Sequence, residues 1–103
     1  LIQKKRVAVL NVKLAKCGFL GALEIIRLAQ AARVRLMIGC MAESAIGLSP
    51  SVHLACASGA FEFVDLDSHL LVRSPRSNPG FLTRGARLQV LPKRPGSGAV
   101  TPP

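Results

Sequence analysis

The sequence predicts an α/β fold built from parallel βα units, and two observations carry that reading. Short apolar runs with β-branched residues alternate with amphipathic stretches in the order strand, helix, strand, helix, strand. Half of the 103 residues are apolar, enough for one packed domain and too few in total length for two.

Val7 to Leu14 is short and rich in valine, the mark of a strand. A period of two puts Ala8, Leu10, Val12 and Leu14 on one face, and Val9, Asn11 and Lys13 on the other. Cys17-Gly18 closes it in a turn. The run Gly18-Phe19-Leu20-Gly21 matches a GxxG pattern, but its place between a strand and a helix makes it a βα turn. Leu20 to Arg33 has helical spacing, with Leu20, Leu23, Ile26 or Leu28, and Ala29 or Ala32 inward and Glu24, Arg27 and Gln30 outward. Val34 to Cys40 is a second strand. Ser49-Pro50 predicts a helix start, since serine caps a free N–H and proline fits the first turn, with the helix reaching about Ala57 before Gly59. Phe61 to Leu66 is a third strand, joined like the others by right-handed crossovers.

Beyond Asp67 the pattern changes. Leu70 to Arg73 predicts a short strand, and Ser74 to Gly80, with Pro75 and Pro79, a loop. Phe81 to Thr83 and Arg87 to Leu91 predict a hairpin around Arg84-Gly85-Ala86, and Pro92 to Pro103 an end without regular structure. Residues 1–69 thus form the βα part and 70–103 a tail. A three-stranded parallel sheet needs cover on both faces and leaves unpaired groups on its outer strands. The expectation is therefore a piece of a larger barrel, completed by a missing N-terminal half, or a homo-oligomer that hides those edges. The opening Leu-Ile-Gln-Lys-Lys-Arg, with no initiating Met, reads as a sequence entered in mid-course.

Composition excludes several classes. No run approaches the roughly 20 apolar residues of a membrane span; the stretch from Val34 to Leu48 is broken by Arg35 and Glu43. Cys17, Cys40 and Cys56 are widely spaced and form no ligand spacing with His53 or His69, so no structural metal is expected, and reduced thiols point to the cytoplasm. The net charge of +9 favours anionic partners. The basic residues are scattered, however, and four Phe with no Tyr or Trp offer few stacking platforms, so charge alone supports nucleic-acid binding.

Three features carry chemistry. Lys13 lies at the C-terminal end of a buried-type strand, the end at which parallel barrels gather their active sites. Asp65-Leu66-Asp67 ends the third strand. Its alternation aims both carboxylates to one side and Val64 and Leu66 to the other, and two like charges so close call for a cation: an ammonium, an arginine or a metal. Glu43, after the second strand, stands near the same mouth, where it supports a catalytic lysine or caps the turn that follows.

On these residues a resemblance appears. Asn11-Val12-Lys13-Leu14-Ala15-Lys16-Cys17-Gly18 resembles the sixth-strand motif of the dipeptide epimerases of the enolase superfamily. Gly39-Cys40-Met41-Ala42-Glu43-Ser44, with Ile46-Gly47-Leu48 and His53-Leu54-Ala55, resembles their seventh strand and following helix. Val64-Asp65-Leu66-Asp67 resembles their eighth strand, and Pro95-Gly96-Ser97-Gly98 their closing Pro-Gly-x-Gly. The resemblance implies a partial TIM (β/α) barrel, strands six to eight, with a tail that packs into a capping domain. It implies a parent enzyme that inverts the α-carbon of the C-terminal residue of dipeptides such as L-Ala-D/L-Glu. In that chemistry one lysine removes the α-proton, Mg²⁺ supports the enediolate, and a lysine on the opposite face returns a proton. Lys13 matches the sixth-strand catalytic lysine. Asp65 and Asp67 match the pair that holds the dipeptide's ammonium, and Asn11 and Glu43 would support them. Lys16 has no such match and belongs to the surface.

The family's second-strand Lys-x-Lys has no counterpart here, nor do the Mg²⁺ carboxylates of its third, fourth and fifth strands, so this chain alone is expected to be inactive. Phe19 stands where the family usually has a second glycine, and Pro50 is a milder departure. Muconate cycloisomerase, o-succinylbenzoate synthase and N-succinylamino acid racemase share the lysine but need no ammonium site. A non-catalytic basic module is the alternative from a different class.

Overall fold

The computed structural model describes residues 7–72, 78–91 and 96–100. Three parallel strands, β1 (Val9–Val12), β2 (Arg35–Ile38) and β3 (Phe63–Val64), pair in the order β1-β2-β3. Two helices connect them, α1 (Leu14–Ala31) and α2 (Ala45–Ser58), and an antiparallel hairpin follows, β4 (Phe81–Arg84) and β5 (Arg87–Val90).

The register puts Asn11, Met37 and Phe63 in one row and Val12, Ile38 and Val64 in the next. Val12, Leu36 and Ile38 are buried against Ala22, Ile26 and Ala29 of α1 and Leu48, Val52 and Leu54 of α2. These elements bury one to three large apolar side chains each, worth several kcal/mol by the rule of about 1.5–3 kcal/mol per side chain. A one-residue slip would turn this row out to solvent, so the core sets the register. The opposite face carries Val9, Asn11, Arg35, Met37 and Phe63 and has no layer over it among the described residues.

The parallel order, the two crossover helices and the hairpin follow the sequence, while several boundaries do not. α1 begins at Leu14, directly off β1, because its first turn precedes the break at Gly18. Gly18 has φ 73° and ψ 172°, a region open to glycine and strained for other residues. The buried stripe of α1 is Ala22, Ile26 and Ala29, whereas Leu20 is 80% and Leu23 43% exposed; small alanines allow the helix to lie close on the sheet, and the leucines face away. α2 starts one turn before Ser49-Pro50. Ser44 is its cap, its Oγ accepting from the Gly47 N–H at 3.2 Å, and Pro50 sits inside the helix at the cost of one backbone hydrogen bond.

β3 is shorter than expected, although the Glu62 and Asp65 N–H groups still donate to Leu36 and Ile38, both at 2.9 Å. The strand expected from Leu70 is instead a 3-10 turn over Ser68–Leu70, and Arg73 lies outside the described residues. The loop at 74–80 is described only from Asn78, and of the tail only 96–100, which folds back through an Asn78–Val100 bridge. There the buried Ser49 Oγ donates to the Ser97 carbonyl at 3.0 Å, pinning the tail to α2.

Ser68, 5% exposed, ties the loop after β2 to the exit of β3. Its Oγ donates to the Glu43 carbonyl at 2.9 Å and accepts from the Glu43 N–H at 3.2 Å. Gly18→Ala is expected to destabilise the chain by about 1–3 kcal/mol through backbone strain alone, since a Cβ there meets nothing within 4 Å. An unchanged denaturant midpoint would contradict that. Ser68→Ala leaves the Glu43 carbonyl without this donor, while the Glu43 N–H keeps its 2.9 Å bond to the Met41 carbonyl, and is expected to lower stability by about 1–3 kcal/mol, read from the same unfolding curves; a neutral result would show that the two loops are held by other contacts.

Candidate active site

Three chain segments end side by side at the C-terminal edge of the sheet. The Gly39 N–H donates to the Val12 carbonyl and the Asp65 N–H to the Ile38 carbonyl, each at 2.9 Å, so the ladder continues one step past the named strands. Lys13, Gly39 and Asp65 therefore occupy one row, on the face that no helix covers. With strands about 4.8 Å apart, Lys13 and Asp65 flank a gap whose floor is a glycine.

Lys13 is half-buried, and its Nζ lies 4.0 Å from the Met41 Sδ, which leans it toward the loop after β2. Its carbonyl accepts from the Lys16 and Cys17 N–H groups, so the lysine stem leaves a backbone fixed on both sides. Lys16 is exposed. Leu66 is buried and both Asp65 and Asp67 are exposed, the alternation expected of a D-x-D at a strand end. Asp67 has left the strand, with φ −118° and ψ −2°, and begins the 3-10 turn. The Cys40 thiol stands 3.9 Å from its Oδ1. Glu43 faces its own turn, its Oε2 accepting the Met41 N–H at 3.0 Å, while the Lys13 Nζ faces Met41 instead.

The chain has five carboxylates, and their partners sort them. Glu24 pairs with Arg27 at 2.6 Å on the surface of α1, where the guanidinium's hydrogen bond and charge hold its carboxyl below the usual range. Glu62 lies 3.6 Å from Arg35, whose guanidinium also sits 5.9 Å from the Phe63 ring centre, at the opposite end of the bare face. Glu43 serves its turn. Among the described residues Asp65 and Asp67 have no cationic partner, so two adjacent negative charges face the mouth uncompensated.

Mg²⁺ prefers octahedral oxygen ligation. No group of three or more His, Cys, Asp or Glu able to hold a metal occurs among the described residues, which include all five carboxylates. The residues present do not fit that ion by themselves.

A groove of about 400 Å³ opens beside this edge, between α2, the exit of β3 and the hairpin. Asp65 and Asp67 border it, along with Val52, Cys56, His69 and Leu88, but Lys13 does not. It is a largely apolar seam on the helix side of the sheet, and the row of strand ends is the better candidate because it alone joins the lysine to the carboxylates. His69 closes one wall: its Nε2 lies 2.9 Å from the Thr83 Oγ1, and its ring meets Phe81 edge-on at 5.4 Å.

Sequence reasoning singled out Lys13, Asp65 and Asp67, and the structure places Lys13 and Asp65 in one row; it gave no part to Gly39 beyond its motif and missed Ser68 and the His69–Thr83 contact. A glycine directly after an apolar run was the one signal available for Gly39. The other two join residues 25 and 14 apart and left no local mark.

Comparison with known proteins agrees with this fold. The L-Ala-D/L-Glu epimerase of Thermotoga maritima is 43% identical over 90 residues, covering 87% of this chain and 26% of that protein. The aromatic dipeptide epimerase of Herpetosiphon aurantiacus is 42% identical over 83 residues, 81% of this chain and 23% of that protein. The chain thus spans about a quarter of the length of these curated relatives. Among solved structures, a mandelate racemase/muconate lactonizing enzyme from Roseiflexus superposes with a TM-score of 0.89 at 35% identity, over 96% of this chain and 29% of that one. A dipeptide epimerase from Enterococcus faecalis, complexed with Mg and L-Leu-L-Tyr, gives 0.84 at 33% identity over 97% and 29%. The α/β sheet and its two helices correspond to the C-terminal part of the TIM barrel in enolase-superfamily enzymes. Residues 1–101 match the family described as enolase C-terminal domain-like, and the chain belongs to that family.

Proposed function

We propose that this chain supplies the catalytic lysine and the ammonium-binding carboxylates of a dipeptide epimerase, and that it works within a larger barrel. The observation that carries the reading is the shared row of Lys13, Gly39 and Asp65 on the bare face of the sheet. Lys13, in its neutral form, takes the α-proton from the C-terminal residue of the dipeptide or returns it as an ammonium. Asp65 and Asp67 hold the N-terminal ammonium, the cation their uncompensated charges call for. The ends of a dipeptide then reach both sides of the gap at once, which fixes its α-carbon under the lysine.

The same reading assigns residues 1–69 to the barrel and 70–103 to a tail against a capping domain. Similar dipeptide epimerases have been solved with Mg and a dipeptide. In this reading such an ion would be held by residues outside this chain, along with the second lysine. Asp65-Leu66-Asp67 favours a dipeptide over cycloisomerase, synthase or N-acyl substrates, whose reacting molecules carry no ammonium at that place. No helix among the described residues is long and apolar enough to cross a membrane. Three free thiols suit a reducing compartment, and we place the activity in the cytoplasm on that ground.

The chain alone is expected to show no Mg²⁺-dependent epimerisation of L-Ala-L-Glu by polarimetry; measurable turnover would overturn its dependence on a larger barrel. In a barrel completed with the N-terminal three quarters of a similar epimerase, the double substitution Asp65→Asn, Asp67→Asn is expected to abolish dipeptide turnover. Surviving activity would remove the dipeptide assignment.

A further inference from the structure

Asn11 sits on the same face of β1 as Lys13, one level below it, and its register partner is Met37. Its side chain nevertheless reaches diagonally onto the neighbouring strand. A Cβ built on Gly39 would lie 2.8 Å from the Asn11 Oδ1, 3.1 Å from its Nδ2 and 3.3 Å from its Cγ. Three near-equal distances mean that the amide lies flat across the glycine. Gly39 is buried, and any side chain there would push the amide out of its place. The absence of a side chain at this position is therefore matched to the presence of a primary amide.

That amide makes no hydrogen bond to another described residue. A primary amide left unpaired on a bare surface is ordinary; this one is exposed and lies across a buried glycine midway between a lysine and an aspartate, where it is placed to meet something. The floor of the gap is where the middle of a bridging ligand must lie. Consecutive α-carbons are about 3.8 Å apart, so a dipeptide with its ammonium at Asp65 and its second α-carbon near Lys13 lays its one peptide group over the middle strand.

We propose that the Asn11 side-chain amide hydrogen-bonds the peptide group of the bound dipeptide, making it a specificity-determining residue. The inference rests on the dipeptide reading above and adds the group that reads the peptide bond itself. A site built to pair a polar group rejects analogues that lack it, because its own donor and acceptor are then left without a partner. Gly39 serves as a positioning residue, acting only through the amide it seats.

The test measures, by calorimetry on the barrel completed around this chain as above, the binding of two ligands, L-Ala-L-Glu and its (E)-alkene isostere, which keeps the ammonium, the carboxylates and the shape but has no peptide N–H or C=O. Asn11→Ala is expected to weaken L-Ala-L-Glu about tenfold, the weight of one hydrogen bond, and to leave the isostere unchanged. Gly39→Ala, which displaces the amide without removing it, is expected to reproduce that pattern. Equal loss for both ligands would make Asn11 merely structural, and no loss for either would also overturn the inference. In both of those cases wild-type binding that falls with Asp65→Asn keeps the dipeptide reading intact. If neither ligand binds the completed wild-type barrel, the dipeptide reading and this inference fail together.

Discussion

The parallel pairing of β1, β2 and β3 is the constraint on which everything else depends. Its register is set by the helix-side core, where Leu36, Ile38 and Val12 are almost wholly buried. Because side chains alternate along a strand, burying those three residues fixes which ones face the other way. Lys13, Gly39 and Asp65 come to one row through that alternation, with no direct contact drawing them together. A change in the core that shifted one strand would therefore dismantle the site without touching any of its residues.

The same sheet is incomplete in two senses. One face is bare of helices among the described residues, and both outer strands present unpaired backbone groups. The chemistry is incomplete in parallel. The chain brings a lysine and two carboxylates without a cationic partner among the described residues to the mouth, while its other three carboxylates are engaged elsewhere. In the proposed function, a fold that corresponds to about a quarter of its relatives goes with a site that holds part of a reaction's equipment. The bare face, with Arg35 and Phe63 stacked at one end and the Lys13 row at the other, has the layout of a barrel interior read in section.

Much of this was legible in the sequence, where local pattern decides structure. Alternation revealed the strands, and the hairpin around Gly85 followed from turn chemistry. The start of α2 differs because Ser49-Pro50 is a strong local signal, and the competing cap at Ser44 won once Ala45 and Leu48 had apolar neighbours to meet. On α1, hydrophobicity pointed to Leu20 and Leu23, but close approach to the sheet selected Ala22 and Ala29, and size is a property of packing that period alone does not reveal. The site divides in the same way. Lys13, Asp65 and Asp67 announce themselves by residue type at strand ends and by resemblance. The Asn11 amide over Gly39 and the Ser68 clasp join segments about two βα elements apart, and only the folded chain brings them together.

The most direct measurement is deuterium incorporation at the α-carbon of each epimer of Ala-Glu in D₂O, in a barrel completed around this chain, with Lys13 intact and with Lys13→Ala. The account predicts that Lys13→Ala abolishes epimerisation and stops exchange from the one epimer whose α-proton faces Lys13, while the other epimer still exchanges at the opposite lysine. Undiminished epimerisation without Lys13, or exchange that continues from both epimers, would show that the row at the sheet's edge is not where the proton moves.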